Sequence, residues 1–160
     1  MQSSEEQVVD RVLAGSRAMV ALTVRSLSGL AEDITIAQYR TLVVLASRGP
    51  QKLAGLAGHL DVTPPTAGRM CERLVHRGLV SRHRAHDDRR VVRISLTADG
   101  RRVVDEATRQ RREAIAAVLA GLAPEHQAEI ADALRDFAAA VGEIPDSEWP
   151  QGPVETAGRI

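Results

Sequence analysis

Hydrophobic side chains recur at helical spacing over most of the chain. From residue 5 to about residue 28 they are three or four positions apart, which predicts one long amphipathic helix. A second helix is predicted to begin at Thr35, which with Gln38 has the spacing of a capping box, and to stop at Gly49-Pro50. A short third helix is predicted from residue 53 to residue 60.

The middle of the chain has a tight turn and the only convincing β pattern. Asp61-Val62-Thr63-Pro64 predicts a turn into a fourth helix, which ends at Gly78. Residues 79–85 and 91–96 flank a charged loop, and the second of these runs alternates apolar and polar side chains, so the two predict a β-hairpin. Residues 31–97 are therefore expected to form a helix-turn-helix followed by a hairpin wing.

Two more helices complete the predicted fold. Thr97 caps a long, arginine-rich fifth helix, and Pro124 stands at the first position of a sixth. After Ile144 the periodicity is lost, so residues 145–160 are predicted to be a flexible tail. The fold class is mainly α with a small β-hairpin, in the order α-α-α-α-β-β-α-α. Residues 5–30 and 98–144 are expected to be dimerisation helices, because their apolar stripes exceed what one small core covers.

Length and composition indicate an ordinary globular protein. The 160 residues fit a single domain, residues 1–160, which can bury enough surface to fold without disulfides. The one cysteine, Cys71, excludes an intrachain disulfide framework and favours a reducing compartment. The first residues lack a signal-peptide pattern, and no stretch approaches the roughly 20 apolar residues of a membrane helix. We therefore expect a cytoplasmic protein.

Charge is unevenly distributed although the formal net charge is zero. Residues 69–112 contain 13 arginines and six acidic residues, so this segment has a net charge of +7. The excess predicts contact with a polyanion such as nucleic acid. A genome rich in G and C also favours arginine, and the chain has 20 arginines and one lysine, but that bias does not explain the clustering.

The predicted fourth helix has an apolar face and a basic face. Met70, Cys71, Leu74 and Val75 are expected to point into the domain, with Cys71 as an inert buried thiol. The basic face is predicted to enter the major groove of DNA, where arginine can bind guanine through two hydrogen bonds. A solvated ladder of arginines is the alternative interpretation. The residues of this face are Thr66, Arg69, Arg73 and Arg77.

Candidate DNA contacts also lie at the start of this helix and in the wing. Thr63 is placed to reach phosphate or bases, while Pro64 and the proline after it remove two N–H groups that could bind phosphate. Arg89 and Arg90 are predicted to enter the minor groove, with Asp88 bracing the wing. The alternative is an ordinary charged hairpin tip in which Asp88 pairs with Arg90.

A series of short motifs resembles the MarR family of winged helix-turn-helix transcriptional regulators. The resemblance covers about residues 36–102. Ala85 and Asp87 depart from it, since they stand where the family often has Asp and Arg in the wing. The matching motifs are Leu53-Ala54, Thr63-Pro64, Arg69, Gly78-Leu79-Val80, Asp88-x-Arg90 and Leu96-Thr97.

This resemblance implies a homodimer built from the first, fifth and sixth helices. It implies that the two winged domains bind successive major grooves of a pseudo-palindromic operator in double-stranded DNA. It also implies a repressor that releases DNA when it binds a small phenolic ligand or is oxidised.

Other functions find little support in the sequence. His83 and His86 with two aspartates make a poor metal site, because residues three apart in a strand point to opposite faces. No catalytic arrangement, phosphate loop, metal or cofactor site is predicted, so we do not expect an enzyme. We expect a sequence-specific DNA-binding transcriptional regulator, a homodimeric repressor relieved by a small ligand. The alternative is a winged-helix module that contacts an acidic protein partner.

Overall fold

The computed structural model describes residues 3–30, 34–84 and 91–150. Within these ranges the chain is mainly helical with a small antiparallel sheet, which confirms the predicted fold class. In chain order the elements are α1 (Ser4–Leu27), α2 (Ile36–Arg48), β1 (Gln51–Lys52), α3 (Leu53–His59), α4 (Pro64–His76), β2 (Val80–Arg84), β3 (Val92–Leu96), α5 (Ala98–Leu119), α6 (Pro124–Ala140) and a 3-10 turn (Asp146–Glu148).

The first two helices begin with capping boxes. Gln38 donates its backbone N–H to the Thr35 hydroxyl at 3.2 Å, and Thr35 donates its own N–H to the Gln38 side chain at 3.1 Å. This confirms the capping box that the sequence predicts. Ser3 and Glu6 make the same reciprocal pair at the start of α1.

The sheet has three strands in the order β1-β3-β2, all antiparallel. β2 and β3 form the predicted hairpin, with Val80 opposite Leu96 and Arg84 opposite Val92. The third strand, β1, was not predicted, because a strand of two residues is too short to show alternation. Its pairing with β3 ties the end of α2 to the base of the wing.

The hydrophobic core lies beneath the helix-turn-helix and the sheet. Leu42, Leu45, Leu56, Leu74 and Ile94 are each no more than 2% exposed. They come from α2, α3, α4 and β3, and burying each side chain stabilises the fold by about 1.5–3 kcal/mol. This core fixes the position of α4 relative to the wing.

The outer helices expose much of their apolar surface. α6 has no buried residue, and α1 buries only Ser26 and Leu27. Exposed apolar side chains in such number are typical of protein contact sites. We call those of α1 and of the end of the chain's last long helix the apolar face; they are Val9, Val12, Leu13, Val20, Val24, Ile130, Leu134, Phe137 and Val141.

Residues 145–150 differ from the loose tail that the sequence predicts. Asp146–Glu148 form a 3-10 turn. Trp149 packs against the core and donates from Nε1 to the Ile144 carbonyl at 2.9 Å. Residues 151–160 lie outside the described part of the chain. None of the described helices is long and apolar enough to cross a membrane.

Candidate nucleic-acid interface

The start of α4 joins three of the side chains that the sequence predicts to contact DNA. The hydroxyls of Thr63 and Thr66 are 3.0 Å apart, and Arg69 donates from Nη2 to the Thr66 hydroxyl at 3.2 Å. Thr63 occupies the N-cap position, yet its side chain accepts no backbone N–H there. The three groups therefore form one hydrogen-bonded chain at the tip of the helix, next to the exposed Pro64.

The remaining predicted arginines lie further along the same helix. Arg73 is exposed, whereas Arg77 is half-buried at the C-cap. Among the residues that the structure describes, neither Arg69 nor Arg73 forms an ion pair. No acidic side chain in the described part of the chain therefore neutralises the charge of Arg69 or Arg73.

The opposite face of α4 packs into the core. Cys71 and Leu74 are fully buried, as predicted, but Val75 is 38% exposed, so its predicted place in the core is wrong. Burial raises the pKa of the Cys71 thiol, although the charge of Arg82 opposes the change. A thiol that is both buried and protonated is a poor nucleophile, in agreement with the predicted inert cysteine.

Two hydrogen bonds fasten α4 to the wing, and sequence reasoning missed both. Arg82 on β2 donates from Nη2 to the Gly68 carbonyl at 3.4 Å. Thr97, which caps α5 by accepting the Gly100 N–H, also donates its hydroxyl to the Gly78 carbonyl at 2.7 Å. Both bonds join residues far apart in sequence, so no local sequence pattern predicts them.

Gly100 permits the close approach of α5 to the end of α4. A Cβ atom at this position would lie 2.1 Å from the Leu79 carbonyl oxygen and 2.8 Å from Leu96 Cδ1. Gly68 in the middle of α4 is different, since its nearest neighbour would be Leu53 Cδ2 at an ordinary 3.8 Å. Packing within the chain therefore requires a glycine at position 100 and not at position 68.

The arginine-rich segment divides into two electrostatically different parts. On α5, Arg109 pairs with Glu106 and Glu113, and its hydrogen bonds are the main reason that the pKa of Glu106 falls to about 2. Arg102 pairs with Asp99. Arg112 pairs with Asp146, so the positive charge of α5 is partly neutralised by described acidic side chains, whereas Arg69 and Arg73 on α4 form no ion pair within the described residues.

The residues predicted to contact the minor groove fall between β2 and β3 in the sequence. Asp88, Arg89 and Arg90 lie outside the described residues, so their roles stay predictions. β2 and β3 pair from Val80–Leu96 to Arg84–Val92, and β2 contacts α4.

Comparison with known proteins identifies the fold and the family. The family model described as "MarR family" matches residues 34–92, from two residues before α2 to the start of β3. The crystal structure of RV1404 from Mycobacterium tuberculosis is 39% identical, with a TM-score of 0.83 over 91% of this chain and 99% of that one. The chain belongs to the MarR family.

Two further relatives differ more from this MarR-family protein. The HTH-type transcriptional repressor MdtR of Bacillus subtilis is 30% identical over 62% of this chain and 64% of its own length. A further relative is BpsR from Bordetella bronchiseptica, whose structure is described with the regulation of its DNA binding by 6-hydroxynicotinic acid. It is 25% identical and has a TM-score of 0.64, over 86% of this chain and 97% of that one. The chain spans about half to two thirds of the length of the curated relatives it matches.

The MarR fold of this chain also contains a cavity away from α4. Its volume is about 720 Å³, and it lies between α2, α5, α6 and the residues after α6. Tyr39 lines it, and the buried Tyr39 hydroxyl has no hydrogen-bond partner among the described residues. The Arg111 guanidinium lies 5.9 Å from the centre of the Tyr39 ring. Within the described ranges, no cluster of His, Cys, Asp and Glu side chains could hold a metal ion.

Proposed function

We propose that this MarR-family protein is a transcriptional regulator that binds double-stranded DNA in a sequence-specific manner. The observation that carries the proposal is the tip of α4, where Thr63, Thr66 and Arg69 form one hydrogen-bonded chain beside the exposed Arg73. An α-helix fits the major groove, and a pre-oriented arginine can bind guanine O6 and N7 together. Thr66 orients Arg69 in this account, and the resulting contact reads the base sequence.

The other predicted site residues take supporting roles in this proposal. Thr63 and Pro64 contact the DNA backbone at the helix start, and Arg73 and Arg77 follow the backbone along the groove. Arg89 and Arg90 enter the adjacent minor groove, and Asp88 braces the wing that carries them. The two bonds from Arg82 and Thr97 hold α4 and the wing in a fixed relation, which simultaneous contact with two grooves requires.

We further propose that the protein acts as a homodimer. In the single chain α1 and α6 leave the apolar side chains of the apolar face exposed, as expected of a contact with a second copy. A two-fold axis through this face presents two α4 helices to the same side of a duplex. The operator then consists of two half-sites about 10 bp apart, centre to centre.

We propose that the regulator is a repressor and that a small ligand weakens its binding to DNA. The name of MdtR supports the repressor role, and the regulation of BpsR by 6-hydroxynicotinic acid supports control by a hydroxylated aromatic acid. The cavity beside Tyr39 is large enough for such a ligand and offers an unsatisfied hydroxyl and the guanidinium groups of Arg40 and Arg111.

Titration of a labelled duplex from upstream of the protein's own gene tests the proposal. Binding is expected to weaken steeply with salt, with a log–log slope of about −0.9 for each phosphate contacted. A scrambled duplex of the same composition serves as control and is expected to bind far more weakly. Equal binding to both duplexes contradicts sequence-specific recognition and favours the alternative, a winged-helix module that binds an acidic protein.

A further inference from the structure

The residues after α6, Gly142 to Pro150, form a segment that we call the strap. Gly142 has a φ of +71°, in the left-handed region that glycine favours. The Gly142 N–H donates to the Ala139 carbonyl at 3.1 Å, and the Glu143 N–H donates to the Ala138 carbonyl at 3.0 Å. This pair of bonds is a Schellman motif, which ends α6 and turns the chain toward α2.

Two arginines of α2 fasten the near end of the strap. Arg40 donates from Nη1 and Nη2 to the two carboxylate oxygens of Glu143, each at 2.7 Å, and Arg48 donates to the Gly142 carbonyl at 2.8 Å. A two-pronged arginine–carboxylate pair fixes orientation as well as distance. Hydrogen bonding to Arg40 holds the pKa of Glu143 below its usual range, so this link to α2 stays charged at neutral pH.

The far end of the strap follows α5 toward the junction with α4. Asp146 accepts a hydrogen bond from Arg112 at 3.2 Å, and the Pro150 carbonyl accepts one from Arg101 at 3.4 Å. At the rise of an α-helix, Arg112 and Arg101 are roughly 16 Å apart along the helix axis. The strap therefore spans much of α5 and ends close to the start of that helix.

Trp149 anchors the strap between these attachments. Its ring packs against the hydrophobic core, and its Nε1 donates to the Ile144 carbonyl at 2.9 Å within the strap itself. Aromatic rings of this size contribute a large apolar area to such packing. The strap is thus a folded segment that is attached to α2, to α5 and to the core.

α6 has little other attachment to the winged unit, by which we mean the elements from α2 to β3. It has no buried residue, and its backbone lies close to few residues of the other described elements. Ala138 and Ala139 border the cavity that separates α6 from α2. At the start of α6, Gln127 donates to the carbonyls of Leu119 and Leu122. In the described part of the chain, the strap is therefore the main link between the end of α6 and α2.

The strap and α5 together give α6 two separate attachments to the winged unit. α5 is joined to that unit at its start, through the hydrogen bond from Thr97 to the Gly78 carbonyl. A link at one point leaves a rigid body free to rotate about that point, whereas a second link some distance away removes the rotation. The link from Glu143 to Arg40 therefore fixes the angle between α6 and the winged unit.

A change in this angle acts twice in the proposed dimer, because each copy presents one α4 to the duplex. Two-fold symmetry doubles any displacement, so moving each α4 by about 1.7 Å along the duplex changes their separation by about 3.4 Å, the rise of one base pair. A change of one base pair also turns the second half-site by roughly 35° around the duplex axis. Small rotations of the winged unit therefore decide which spacing of half-sites fits.

We propose that the strap determines the half-site spacing that the dimer accepts, because it holds each winged unit at one angle to α6. This inference rests on the proposed function and deepens it, since it names the segment that selects among operators with identical half-sites. With the strap attached, one spacing is bound well. With the strap released, the winged units rotate and several spacings are bound alike.

The double variant E143Q/D146N removes both acidic links of the strap. Both pairs are exposed and add little to the free energy of unfolding, so the core is expected to stay folded. Trp149 is the only tryptophan of the chain, so its fluorescence reports on the strap. Acrylamide quenching of Trp149 and hydrogen exchange of the strap amides are both expected to increase. If neither changes, the two pairs do not hold the strap, and the proposal is overturned.

Spacing preference is measured on duplexes that share two half-sites and differ only in the distance between them, by one or two base pairs in either direction. The half-sites are taken from the genomic fragments that the wild-type protein selects. A change of one base pair displaces one α4 from its bases, so the expected loss of affinity is ~10-fold or more for the wild type and no more than ~3-fold for E143Q/D146N. Both proteins are expected to bind a duplex with a single half-site equally well.

The double variant E113Q/D132N is the matched control. It removes the same number of negative charges from exposed pairs that lie within α5 and within α6, away from the strap. This control is expected to keep the strap exchange and the spacing preference of the wild type. Equal broadening of the spacing preference in the control would assign the effect to the lost charge and would overturn the proposal.

The variant R40Q breaks the same link from α2 and leaves the sequence of the strap unchanged. It is expected to increase strap exchange and to broaden the spacing preference, as E143Q/D146N does. A released strap with an unchanged spacing preference, in either variant, overturns the proposal. A wild-type protein that prefers no base sequence contradicts the proposed function instead, whereas one that prefers its operator but accepts every spacing equally overturns this inference alone.

Discussion

The Thr97 hydroxyl donates a 2.7 Å hydrogen bond to the Gly78 carbonyl and thereby joins the start of α5 to the end of α4. Thr97 also accepts the Gly100 N–H, and it is only 3% exposed. One side chain thus caps a helix and satisfies a turn carbonyl next to the base of the wing. The orientation of the proposed recognition helix depends on this buried junction.

The variant Thr97→Val is expected to destabilise the protein by about 1–3 kcal/mol, because the helix cap and the bond to Gly78 are lost at once. Urea denaturation measures the free energy of unfolding. Thr108→Val on the same helix is the matched control, since the Thr108 hydroxyl is buried without a hydrogen-bond partner among the described residues. In that control the free energy of unfolding is expected to stay the same or rise. Equal losses of this free energy in both variants would contradict the role of Thr97.

The variant Gly100→Ala is expected to destabilise the protein although it adds only one methyl group. Its Cβ cannot occupy a point 2.1 Å from the Leu79 carbonyl oxygen, so α5 must move away from the turn. Overpacking of this kind costs about 1–3 kcal/mol or more. A thermal melt that matches the wild type would show that the junction between α4 and α5 is looser than described.

The variant Gly68→Ala is expected to have the opposite effect on stability. The nearest atom to its Cβ is 3.8 Å away, and alanine is favoured over glycine within a helix by up to about 1 kcal/mol. If the backbone of α4 lies against DNA, the same variant loses operator affinity while it gains stability. Unchanged affinity would show that the Gly68 backbone does not approach the groove.

The variant Arg69→Ala is expected to relax specificity at one base position in each half-site, by about 1–3 kcal/mol if the contact is bidentate. Competition between the operator and single-base variants measures this change. Arg109→Ala is the control, since it removes one arginine whose charge Glu106 and Glu113 already neutralise. It is expected to leave the base-sequence preference unchanged. An Arg69 variant with unchanged sequence preference would mean that Arg69 does not read bases.

The variant Phe137→Asp is expected to prevent the proposed dimer from forming, since Phe137 is 54% exposed in the single chain and lies on the apolar face. Sedimentation or light scattering measures the oligomeric state. Val92→Asp changes an exposed apolar residue outside that face and is the control. If Phe137→Asp stays dimeric, the contact between copies lies elsewhere.

The sequence is sufficient to predict the helices and the candidate face of α4. The Thr35–Gln38 capping box, the stop at Gly49 and the cap at Thr97 are local signals, and each is present in the structure as predicted. At the tip of α4, helical spacing predicts that Thr63, Thr66 and Arg69 lie together. The specific hydrogen bond from Arg69 to Thr66 depends on side-chain rotamers that a pattern does not encode.

The features that the sequence does not reveal are long-range ones. The Arg82–Gly68 bond and the Arg40–Glu143 pair join residues 14 and 103 positions apart, and neither has a local signature. The proline-rich composition after Ile144 is typical of a tail, so the sequence does not predict the ordered segment formed by residues 145–150. Gly142 is the one local signal of the turn that precedes it, since a glycine after the last helical residue is typical of a Schellman motif.

Selection of bound fragments from sheared genomic DNA by the purified protein tests the central claim most directly. We predict enrichment of fragments that share a pseudo-palindrome with half-sites about 10 bp apart, and loss of that enrichment in the Arg69→Ala variant. Recovery of fragments with no common sequence, at a salt concentration where the protein still binds DNA, would contradict the claim that α4 reads the major groove.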